Sequence, residues 1–155
     1  GSNIFDYTIA AILAATDIIA LSTCDVVSAK RIDGVLEDIL QDIDSFDRAR
    51  MKLVINRYDP AFNISPAEIA DVLKIPLAAV IPDCREITNV NNSGNSVFYS
   101  SQRLAAKQQD FADAVRGLAK KLLEIDRSGS SQSVPVSKEK SKNFLKMLFK
   151  RDNSL

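Results

Sequence analysis

Three short runs constrain this chain most: residues 17–23 (DIIALST), 51–56 (MKLVIN) and 77–81 (LAAVI). Each is apolar and rich in β-branched residues, and none alternates cleanly between polar and apolar. A strand with one face in water alternates; a strand covered on both faces does not. The runs therefore predict short buried strands of a parallel sheet. Helical patterns separate them. Residues 7–16 (YTIAAILAAT) are apolar nearly all round and read as a buried helix. From Ser28 to Ser45, Ile32, Val35, Leu36, Ile39, Leu40 and Ile43 recur on one helical face. Ser65-Pro66-Ala67-Glu68 is a capping box with proline at the first helical position, opening a short helix to Leu73. Residues 85–94 predict a short helix or loop, and Gln102 to Ile125 the longest helix. Helix and strand alternate throughout, which is the pattern of an α/β fold. At 155 residues the chain has room for one domain. Three strands make a small sheet, and it reads as half of something larger.

Composition excludes several chemistries. The chain has no histidine, so no mechanism can rest on an imidazole base or metal ligand. Cys24 and Cys84 lie too far apart in sequence for a short-spaced metal pair, and they read as buried thiols in a reducing compartment. Twenty basic and twenty acidic residues cancel, which argues against nucleic acid held by bulk charge. No apolar stretch approaches the roughly 20 residues of a spanning helix. Gly1-Ser2 has no basic region after it and does not open a secretory signal.

The neutral total conceals an asymmetry. From Val136 to Arg151, five lysines and Arg151 stand against Glu139, a net +5. The rest of the chain then carries 14 basic and 19 acidic residues, a net −5. Serine, glycine and proline dominate residues 126–137, which read as a flexible linker. Beyond it, Phe144, Leu145, Leu148 and Phe149 share one face of a helix, with Met147 at its edge. Lys142, Lys146 and Lys150 lie opposite. That distribution suits an anionic membrane surface, where each lysine contributes about 1 kcal/mol. Packing on the body and docking on a protein partner are the alternatives. Such a short segment is not stably helical alone, so its binding should be weak and should rise steeply on dimerisation.

No catalytic constellation stands out. The glycines at 1, 34, 94, 117 and 129 form no Gly-x-x-x-x-Gly-Lys-Ser/Thr loop, and no Gly-x-Ser-x-Gly occurs. Asp38, Asp42, Asp44 and Asp47 read as a solvated helix face rather than a catalytic pair. What remains are the residues after strand C-termini, where open α/β sheets bind ligands. One strand delivers Asn56-Arg57-Tyr58-Asp59-Pro60 and the next Pro82-Asp83-Cys84. The Asn56 amide can match a purine edge, or it can cap the strand end and hold the Asp59-Pro60 turn.

Leu53-Val54-Ile55-Asn56-Arg57-Tyr58-Asp59-Pro60, then Val80-Ile81-Pro82-Asp83, then Asn92-Ser93-Gly94-Asn95-Ser96-Val97 resemble the C-terminal half of the MinD/ParA family of ATPases. Asn143 to Lys150 resembles the membrane-targeting helix of the MinD members. The resemblance implies a partial parallel-sheet, Rossmann-like fold of the P-loop NTPase type, lacking its N-terminal phosphate-loop half. That half-domain would span residues 3–125, followed by the linker at 126–137 and an amphipathic membrane-targeting helix at 138–151. It implies that Asn56 and Arg57, with the Pro82-Asp83 turn, line the nucleotide-base pocket. It implies ATP with magnesium as cofactor, self-association, MinC-like and MinE-like division partners, and a cytoplasmic protein peripheral on the inner face of the cell membrane. The role it implies is positioning of the bacterial division septum.

The chain departs from the family pattern at several points. The deviant phosphate loop, the switch segments and the Asp-x-Pro motif are missing from the sequence. Phe5-Asp6-Tyr7 resembles the approach to that last motif, but the strand itself does not follow. Thr23-Cys24-Asp25 lacks the proline usual in the family's Thr-x-Pro turn, and Ile32 stands where the next helix often carries an aspartate. The chain is therefore not expected to hydrolyse ATP alone. A fragment, a truncated gene product and a degenerate paralogue all fit. The contrasting reading is a catalytically inactive membrane adaptor, or a relative of the pilus- and flagellum-positioning CpaE group.

Overall fold

The computed structural model describes residues 6–43, 46–99 and 104–128. Its frame is a three-stranded parallel sheet in the order β1 (Ile18–Ser22), β2 (Met51–Tyr58), β3 (Leu77–Pro82). The helices are α1 (Asp6–Ala14), α2 (Val26–Asp42), α3 (Pro66–Leu73), α4 (Glu86–Asn92) and α5 (Ala106–Ser128). A single 3-10 turn (Arg48–Arg50) leads into β2. The α/β alternation and the parallel sheet agree with the sequence pattern.

β2 is central because its sequence can be buried on both faces: Leu53, Val54 and Ile55 are fully buried. Leu53 and Ile55 face one layer, where Leu36 and Ile39 of α2, with Ile43 at its C-cap, meet Ile69 and Leu73 of α3. Ile18 and Ala20 of β1 and Leu77 of β3 join the edge of that cluster. α5 packs on β3 and buries Ala112. A register shift interrupts the β2–β3 ladder between Leu53 and Val54 and again between Ile55 and Tyr58.

Local chemistry sets the element ends. Asp25 caps α2, accepting from Ser28 N at 2.8 Å, so the helix starts at Val26, ahead of the expected Ser28. The α3 capping box is complete: Ser65 Oγ accepts from Glu68 N, and Glu68 Oε2 accepts from Ser65 N at 2.8 Å. Lys74, in the left-handed region at φ 55°, closes α3. Asp47 lies past α2 and caps the 3-10 turn through Ala49 N, so it is not on the solvated helix face the sequence suggested.

Two expectations of burial fail. Ile9 and Ile12 of α1 pack against the core, but Tyr7 and Leu13 are largely exposed. In β1, Ile19 and Leu21 are exposed at 45% and 60%. A run that is apolar on both faces predicts cover on both faces, and the principal neighbours of β1 among the described elements are β2 and α2. Cys24 is buried as expected, whereas Cys84 is only half-buried, and both thiols are free. α5 continues through Ser128, so residues 126–128 extend the helix. The rest of the predicted linker and the amphipathic segment at 138–151 lie outside the described residues.

Candidate functional site

In a parallel sheet all strand C-termini open on one side, and connecting loops surround a crevice there. Here a cleft of about 620 Å³ lies at those ends. Thr23 and Asp25, after β1, form one wall; Arg57 and Asp59, at the end of β2, form another. Phe62 lines the cleft from the loop after β2, and Asp83 and Arg85 line it from the loop after β3.

The β1 side is a tight hydrogen-bonded knot. Thr23 Oγ1 donates to Asp25 Oδ2, and Ser28 Oγ donates to the same oxygen at 2.9 Å. Burial alone would push the Asp25 carboxyl up. Hydrogen bonds from Thr23 and from Ser28 and Val27 outweigh it and hold the group below its usual value. Cys24, also in the cleft lining, is buried, and its Sγ donates to Ile64 O at 3.1 Å. Burial, with the Asp25 and Glu68 carboxylates, pushes this thiol up to about 11. Cys84 is also raised, by burial first and by its hydrogen bond to Glu86 next. Neither thiol is therefore poised as a nucleophile near neutral pH.

The β2 and β3 ends are tied together. Asp83 N donates to Tyr58 O at 3.0 Å, and Arg57 Nε meets Asp83 Oδ1 at 3.2 Å. Arg85 Nε approaches the second oxygen, Oδ2, at 3.5 Å. Arg57 has φ 55°, unusual for a non-glycine residue and frequent at functional sites. Phe62 packs edge-on to Tyr58 with ring centroids 6.3 Å apart. Asp59 holds the following turn, accepting from Ala61 N at 2.9 Å and from Phe62 N through its carbonyl.

Of the four residues singled out as a base site, Arg57 and Asp83 line the cleft as an ion pair. Asn56 and Pro82 are half-buried within their strands and outside the lining. Asn56 Oδ1 accepts from Arg57 N at 3.0 Å, which leaves its Nδ2 group to donate. β2 runs on through Tyr58, so Asn56 does not cap the strand end. Sequence reasoning did not assign Thr23, Asp25, Phe62 or Arg85 to a site. The one available signal was Asp25-x-x-Ser28, a helix N-cap pattern directly after a strand. The membrane-facing candidates Lys142, Phe144, Leu145, Lys146, Met147, Leu148, Phe149 and Lys150 lie outside the described residues.

The comparisons with known proteins converge. No protein-family model matches the chain. Over 124 residues it is 27% identical to the septum site-determining protein MinD of Neisseria meningitidis serogroup B, covering 77% of this chain and 42% of that protein. The chain is similar to part of MinD. Its fold matches a MinC:MinD cell division protein complex of Aquifex aeolicus at a TM-score of 0.60, with 18% identity, over 87% of this chain and 51% of that one. It also matches the MinD of Pyrococcus horikoshii OT3 solved with Mg-ADP, at a TM-score of 0.52 and 20% identity, over 81% and 48%. The chain thus spans about half the length of the MinD proteins it matches, and its parallel α/β architecture matches that part of their fold.

Proposed function

We propose that this chain is a MinD-like component of bacterial division-site placement that carries the base end of a nucleotide cleft and a membrane-binding tail. The observation that carries the reading is the Arg57–Asp83 pair across the strand C-termini of a MinD-type sheet. The motifs holding that pair are the ones that resemble the family. The basic amphipathic segment at 138–151 supplies the membrane contact, with lysines at lipid phosphates and Phe144, Leu145, Leu148 and Phe149 in the acyl boundary. Because one MinD relative is solved with MinC, a MinC-like partner and self-association belong to the same proposal, with a MinE-like regulator beside them.

The cleft fits part of the nucleotide its relative was solved with. Phe62, packed edge-on to Tyr58, offers an apolar wall, while Asn56, whose Nδ2 is left to donate, stands in β2 outside the lining. The phosphates are not matched in the same way. Among the described residues, Gly34 and Gly117 lie inside helices and Gly94 follows α4, so none cradles a phosphate beside the cleft. No group of three or more acidic or thiol side chains among those residues could hold a metal ion. We therefore assign this chain the base end of a nucleotide site, which alone grips nucleotide too weakly to detect, together with a membrane anchor, and no hydrolytic step. The contrasting adaptor reading keeps the tail and drops nucleotide recognition.

Overproduction in a rod-shaped bacterium tests the role. The intact chain should shift septa away from midcell, and a version ending at Ser128 should not. Normal septa with the intact chain at the same expression level contradict the proposal.

A further inference from the structure

We draw no further inference here: the strongest candidate, the exposed aromatic patch of Phe98 and Tyr99 between α4 and α5, where Arg116 of α5 lies over the Phe98 ring, is an unpartnered surface, and nothing in the structure shows what covers it.

Discussion

Arg57 and Asp83 close the gap between β2 and β3 at the strand ends, 3.2 Å apart across 26 residues of sequence. The pair is exposed on the arginine side, so it contributes less than about 1 kcal/mol to folding. The left-handed backbone at Arg57 opposes it by about 1–2 kcal/mol, a cost glycine does not carry. Arg57→Gly should therefore leave the melting temperature unchanged or raise it slightly, while removing one of the two arginines that line the cleft. A drop of more than about 5 °C would show that the ion pair dominates.

Arg50 reaches back to the C-terminal end of α1. Its Nη2 donates to Ile12 O at 2.7 Å, to Leu13 O at 3.3 Å and to Ala15 O. A cation at a helix C-terminus satisfies carbonyls that have no intrahelical partner. Arg50→Ala should cost about 1–2 kcal/mol in urea unfolding and speed amide exchange in α1 before any other helix. Uniform acceleration across the sheet would contradict a local capping role.

Asp25 links α2 to the cleft wall. Asp25→Ala removes the N-cap and should cost about 1 kcal/mol. The carboxyl is held below its ordinary 3.8 in the folded state. Its contribution is therefore full above about that value and is lost as pH falls through the lower, folded one. Wild type and Asp25→Ala should differ at pH 6 and converge in strong acid. A gap that persists unchanged in acid would mean the charge is irrelevant and only the lost packing matters.

The two thiols should separate kinetically. At pH 8 a disulfide reagent should modify half-buried Cys84 slowly and buried Cys24 only after denaturation. The Cys24 thiol is raised from 9.0 to about 11, so it favours the folded state less as pH climbs through that window. Stability should fall between pH 9 and 11, and Cys24→Ala should flatten that slope. Prompt modification of two thiols in the native chain would contradict the packing.

Nucleotide binding by the chain alone is expected to be too weak to detect. Phosphate contacts supply much of the grip in phosphate-loop proteins, and the sequence offers no such loop. Saturable ATP binding in calorimetry would contradict the assignment of a base end without its phosphate end.

Much of this was legible beforehand. The apolar runs placed all three strands, and Ser65-x-x-Glu68 placed the start of α3 to the residue. What stayed hidden was non-local. An apolar run reads the same whether or not cover for it exists, so the exposure of Ile19 and Leu21 was invisible. The Arg50 contacts span 35 to 38 residues, and no periodicity encodes them. In the cleft, Asn56-Arg57 and Pro82-Asp83 stood out as strand-end residues. The β1 wall of Thr23 and Asp25 emerged only once the register placed Ser22 beside Ile55.

The central claim is that the chain reaches an anionic membrane through its basic amphipathic segment. Sedimentation with anionic liposomes tests it most directly, comparing the intact chain with Leu148→Glu and with a chain ending at Ser128. Each form is also measured as a dimer through a fused coiled coil, which raises the avidity of a weak tail. The account predicts that the intact chain sediments, more strongly as the dimer, and that both altered forms stay in the supernatant. An intact dimer that stays in the supernatant, or a Ser128-terminated chain that sediments equally well, would contradict it.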